Sequence, residues 1–278
     1  MPTHIGIDLA WGPRARTGLA VTGSSGRLLA STSVRTDDEI ASFLTPYLAR
    51  DTVVAIDAPL VVPNPTGSRE CEKELSAVFR TYDAGTHPAN RSHAWFDPPR
   101  GASLARRFGW DLDPRTVPFT GTAVAIEVYP HPAMVSLFGL GRILPYKNKP
   151  GRTVESLRAA FVLLLDHLDR VAGPTLQLST SGRWAQIRAA VSTATRKSQL
   201  RLVEDEVDAI LCAHLAWLWG RRDPSMRVFG DAERGYIVTP ELPETARPAS
   251  SRPRAHAARS SRPQRFEPES LGHLRDRP

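Results

Sequence analysis

The chain has 278 residues, of which 41% are hydrophobic and 23% charged. That is enough apolar material for a full core, and it excludes a disordered chain. A formal charge of +7 and a pI near 9.9 favour a polyanionic partner such as nucleic acid. Cys71 and Cys212 lack CxxC or Cys-His spacing, which excludes a disulfide framework and a zinc site and suits a reducing cytoplasm. No apolar run is long enough to cross a bilayer and no signal-peptide pattern opens the chain, so the expectation is a soluble cytoplasmic protein.

Apolar, partly β-branched runs separated by Gly, Pro and Ser predict three strands, at residues 4–10, 17–23 and 27–34, arranged as an antiparallel meander. Thr36 followed by Asp37, Asp38 and Glu39 predicts a capped helix, and residues 52–57 return as a strand parallel to an earlier one. Residues 60–119 lose periodicity around two helices, 69–81 and 101–109, and read as an insertion above the sheet and a candidate substrate cover. A strand is expected at 122–129. Helices follow at 132–138, 153–172, 183–192 and 198–220, then a hairpin of 226–229 with 235–239. One domain thus spans 1–240, and the Pro/Arg/Ser-rich residues 241–278 read as a disordered basic tail.

The candidate chemistry is acidic. Asp8 and Asp57 each close a buried strand, where a charge must pair, hydrogen-bond or bind metal. Asp205 and Asp208 share a face of the last helix beside its stripe of Leu200, Val203, Val207 and Ile210, touching the sheet edge without being sealed in. Neighbouring Glu204 and Glu206 suggest a solvated face there. Glu127 ends another strand and is a candidate ligand or supporting acid. Arg69, Arg80, His131 and Lys147 are candidate substrate-binding residues, because Arg and Lys suit phosphate and His orients water or phosphate. Carboxylates converging from separate segments suit a hard divalent cation.

Six short motifs in order carry a resemblance: residues 6–12 (GIDLAWG), 55–60 (AIDAPL), 69–72 (RECE), 127–131 (EVYPH), 144–147 (LPYK) and 205–209 (DEVDA). Together they resemble the family catalogued as domain of unknown function 429, whose members are described as predicted nucleases with an RNase H-like fold. The resemblance implies an α/β fold with an RNase H-like mixed sheet, three antiparallel strands joined to parallel ones and flanked by helices. It also implies that Asp8, Asp57 and Asp208 match the metal-binding acids of that superfamily. The Asp205/Asp208 pair is similar to the paired acids on the late helix of Holliday-junction resolvases.

The leading expectation is therefore a metal-dependent nuclease using two Mg2+ or Mn2+ ions roughly 3.5–4 Å apart. Asp8, Asp57 and Asp208 would bind metal, with Asp205 or Glu127 completing the site. Two alternatives stand beside it, a nucleotide-dependent phosphoryl-transfer enzyme of the same superfamily and a nucleic-acid-binding protein with a degenerate site.

Overall fold

The computed structural model describes residues 2–12 and 15–243. Its centre is a five-stranded sheet in the order β3-β2-β1-β4-β5, comprising β1 (Thr3–Asp8), β2 (Thr17–Thr22), β3 (Leu28–Val34), β4 (Thr52–Ile56) and β5 (Val124–Glu127). The first three strands form the expected antiparallel meander; β4 runs parallel to β1, and β5 parallel to β4. The crossover from β3 to β4 runs through α1 (Asp37–Leu44), where Thr36 and Glu39 cap each other reciprocally.

Alternation along the strands divides the sheet into two faces. Ile5, Ile7, Leu19, Val21, Val54 and Ile56 look one way, onto Ile40 and Leu44 of α1 and onto Leu104 and Ala105 of α3 (Arg100–Phe108). Val53, Ala55, Val124 and Ile126 look the other way, onto Cys212, Leu215 and Ala216 of α8 (Lys197–Gly220). Behind α8, a third layer is built from α5 (Val154–Val171) and α7 (Gly182–Thr193), through Phe161, Leu164, Leu168, Trp184, Ile187 and Val191.

Residues 60–119 are more integral than a cover. Besides α3, they supply α2 (Glu70–Phe79), whose Cys71, Leu75 and Phe79 pack with Phe229 and Ile237. Those two belong to the hairpin of β6 (Met226–Asp231) and β7 (Gly235–Pro240). The apolar positions of α2 and α3 complete core layers, which is why the segment lies on the body of the protein. Leu242 is buried in the same cluster as Phe229 and Ile237, and the Glu241 amide donates to the Ser225 carbonyl, so packing runs slightly past residue 240. The rest of the expected tail lies outside the described residues.

Between the last two layers run α4 (Pro130–Phe138) and a long loop carrying Tyr146 and Lys147, followed by α5 and the short α6 (Gly173–Leu176).

Candidate functional site: acids gathered around a lysine

Two glycines bring the acids together. A Cβ on Gly6 would overlap the backbone of Ala209 and Ala213, and one on Gly18 would overlap the backbone of Asp205 and Glu206. Helix α8 therefore lies directly on β1 and β2 at van der Waals range. Gly18 is the register partner of Asp8, so the turn of α8 bearing Asp205 sits over the end of β1. Asp8 follows Gly6 by two residues and Asp57 follows Ala55 by two, so both side chains emerge on the α8 side. Ile7 and Ile56 are paired, and the Asp57 amide donates to the Ile7 carbonyl at 2.8 Å, which fixes the two acids on neighbouring strand ends. Such carboxyl ends of parallel strands are where α/β proteins place ligands.

Asp208 is 0% exposed. It is sealed between the helix and the loop, deeper than a position beside the stripe implies, because α8 covers the sheet's face and not its edge. Tyr146, itself buried, donates its hydroxyl to Asp208 Oδ1 at 2.7 Å. Lys147 Nζ lies 2.7 Å from Oδ2, so the second carboxylate oxygen is held by an ion pair.

The electrostatics show one crowded cluster. Burial raises the pKa of Asp8 well above the carboxylate range; Lys147 pulls it back, while Asp208, Asp57 and Asp205 push it up. Asp57 is raised to about 7 by burial, opposed by Lys147 and reinforced by Asp208 and Glu127. Glu204 rises to about 7 and Asp205 to about 6, mainly through burial, with Asp208 adding to both. Burial disfavours the Lys147 ammonium, but Asp208, Tyr146, Asp8 and Asp57 outweigh it and keep the group charged. His131, at the start of α4, is lowered to about 4 by burial and by Lys147, so it is neutral near pH 7. Among the described residues no three His, Cys, Asp or Glu side chains already form a group that could hold a metal ion. The ammonium of Lys147 supplies the positive charge at the acids instead.

Three candidates are not part of the group around Lys147, although Glu127 and Arg69 line a cavity with Asp57. Glu127 is one strand position out of phase: Ile126 faces α8, so Glu127 projects to the opposite side. There it accepts Arg69 Nη1 and Nη2 at 2.9 and 2.6 Å and the Leu60 amide at 2.8 Å. Arg69, expected to bind phosphate, is 3% exposed and fully engaged. Besides Glu127 it bonds Glu72 Oε1 at 2.9 Å and the Val61 carbonyl at 3.0 Å. The reason is topological: this buried triad of Glu127, Arg69 and Glu72 fastens the loop leaving Asp57. Arg80 is exposed at the C-terminal end of α2.

Glu206 also departs from expectation. It is fully buried on the side of α8 away from the acids, accepting Ser31 Oγ at 2.6 Å and Arg183 Nε and Nη2 at 2.8 and 2.6 Å. The sequence gives Tyr146 no role beyond its place in the Leu-Pro-Tyr-Lys motif, since a tyrosine in a loop carries no periodicity.

Fold and side chains thus define an α/β protein with a five-stranded mixed sheet, whose strand ends and overlying helix gather Asp8, Asp57, Asp205 and Asp208 around Lys147. The chain belongs to the family described as "Protein of unknown function (DUF429)", whose model matches residues 6–234. No curated protein and no solved structure matches it.

Proposed function

We propose that the chain is a metal-dependent phosphodiesterase with an RNase H-like fold, acting on nucleic acid. The observation that carries this reading is that Asp8, Asp57 and Asp208 act electrostatically on one another around Lys147, at the carboxyl ends of β1 and β4 and on the helix laid over them. A meander of three strands followed by parallel ones, with acids at the ends of the first and fourth strands and on a late helix, is consistent with that fold.

The donor chemistry suits a hard divalent cation. The side chains are carboxylates, burial together with neighbouring acids raises the pKa values of Asp8 and Asp57, and Asp208 Oδ2 is held by the Lys147 ammonium at 2.7 Å, a place a cation would take over. Asp8, Asp57 and Asp208 would hold Mg2+ or Mn2+. When bound, the ion supplies a water of lowered pKa and positive charge for the phosphoryl oxygens.

The other residues prepare the acids. Tyr146 orients Asp208 through its Oδ1, while Oδ2 is the oxygen paired with Lys147. Lys147 lowers the pKa values of Asp8 and Asp57, holding them closer to the ionised form needed for binding a cation, and attracts phosphate to the same place. Asp205, one turn before Asp208, adds negative charge at the rim. His131 is neutral and available to hydrogen-bond water or phosphate. Glu127 and Arg69 fix the loop that follows Asp57.

The direct test is hydrolysis of labelled DNA and RNA with Mn2+. The wild-type chain shortens one of them, while chelation or Asp8→Asn stops the reaction; cutting by Asp8→Asn at the wild-type rate contradicts the assignment.

A pH prediction follows from Lys147. With Asp57 at about 7 in the metal-free chain, affinity for Mn2+ rises with pH through neutrality as the acids ionise. Removing the ammonium in Lys147→Gln raises both acid pKa values, so the rise moves to higher pH. A profile at the wild-type position contradicts the role given to Lys147.

A further inference from the structure

Two tryptophans stand open beside the acids. Trp11 is 49% exposed and Trp95 48%, while most other large aromatic side chains of the described residues are covered. They form one group: Trp11 packs edge-on against buried Phe96 at 5.4 Å and 65°, and Trp95 does so at 6.2 Å and 73°. His93 lies parallel to Trp95, 5.1 Å away at 12°. Phe96 thus anchors both rings from below.

The group is continuous with the acid site. Trp11 is three residues beyond Asp8 and shares with Asp57, His87 and Tyr129 the wall of a cavity of about 70 Å3. Both tryptophans also border a narrow crevice with Leu9 and Ala58, the residues that follow Asp8 and Asp57. Basic groups edge the same region: Arg100 borders the crevice, and Lys147 stands at the acids, its Nζ 2.7 Å from Asp208 Oδ2. Planar rings, basic groups and acids are thereby set side by side, the combination that holds a phosphate backbone while its bases stack.

We infer that the substrate is single-stranded nucleic acid, or a frayed single-stranded end, whose bases stack on Trp11 and Trp95 while the adjoining phosphate lies at Asp8 and Asp57. Paired and stacked bases inside a duplex offer no free faces to such rings. The inference rests on the phosphodiesterase reading for its choice of ligand.

The test measures binding of a labelled oligodeoxythymidylate about 12 nucleotides long, and of a blunt duplex of equal length, to the full chain in EDTA so that cutting is suppressed. The single strand is expected to bind more tightly than the duplex. Trp11→Ala and Trp95→Ala each weaken it by about 5- to 100-fold, and Trp→Phe recovers most of the loss. Both side chains are exposed, so the variants keep their fold, which circular dichroism checks. Unchanged affinity in the alanine variants, preference for the duplex, or binding of neither probe overturns the inference. If duplex is nevertheless cleaved, the phosphodiesterase reading survives without the stacking platform. If tryptophan-dependent single-strand binding is found but no metal supports cleavage, the platform stands and the phosphodiesterase reading fails.

Discussion

Asp57→Asn abolishes hydrolysis and, at the same time, makes the protein harder to unfold at pH 8. The loss of activity follows from removing a carboxylate proposed to hold the divalent ion, and a fall of at least about 1,000-fold is expected where ion and water are misplaced. The gain in stability follows from the pKa. An isolated Asp titrates at 3.8, and in the folded protein burial and Asp208 raise Asp57 to about 7. Between those values the native state binds more protons than the unfolded chain, so its stability falls as pH rises through the window. Glu204, at about 7, and Asp205, at about 6, act in the same direction. Above pH 7 the native protein carries the full electrostatic cost of an ionised Asp57, which Asn removes. Allowing for the lost attraction to Lys147, the net gain is about 1–3 kcal/mol, a rise in Tm of roughly 3–10 °C at pH 8 that vanishes near pH 4. Thermal melts of both proteins at the two pH values decide this. A drop in Tm at pH 8 would mean that Asp57 is a structural ion-pair partner and not a carboxylate held in an unfavourable place for function.

Arg69→Ala should be the most damaging single change away from the acids. The guanidinium is sealed, its charge shared between Glu127 and Glu72, and burial, which disfavours the charge, is outweighed by Glu127 so that Arg69 stays protonated. Removing it strands two buried carboxylates and releases the Val61 carbonyl. Breaking a buried ion pair from one side costs about 3–5 kcal/mol. Urea unfolding should show a loss of that size, with Tm lower by roughly 6–20 °C. Activity falls too, since the loop after Asp57 loses its fastening through Glu127 and the Leu60 amide. A loss below about 1 kcal/mol would show the triad to be dispensable. The contrast with Asp57→Asn separates two kinds of buried acid: Glu127 is compensated by a guanidinium, whereas Asp57 is crowded by other acids.

These two cases also show what the sequence could and could not reveal. The meander and the parallel return of β4 were legible, because runs of β-branched residues mark strands and a helix between β3 and β4 forces a parallel return. Asp8 and Asp57 were legible as strand-end acids, since polar residues closing apolar runs are conspicuous. Glu127 looked equivalent, but its side is set by strand parity, and a shift of one residue in where β5 begins reverses it. Arg69 looked like a phosphate ligand because a sequence shows the guanidinium and not the carboxylate 58 positions away that neutralises it. Asp208 and Glu206 needed the third layer: only with α5, α7 and the Tyr146 loop in place does it become visible that both are sealed. Gly6 and Gly18, which seat α8 on the sheet, are indistinguishable in sequence from any strand glycine.

The central claim is that these acids form a divalent-metal centre, and crystals soaked in Mn2+ at pH 8 test it most directly through the anomalous signal of the ion. The expected result is a peak within bonding distance of carboxylate oxygens of both Asp8 and Asp57, lost in Asp8→Asn crystals. A peak bound elsewhere, or none while Lys147 Nζ stays on Asp208, would contradict the account.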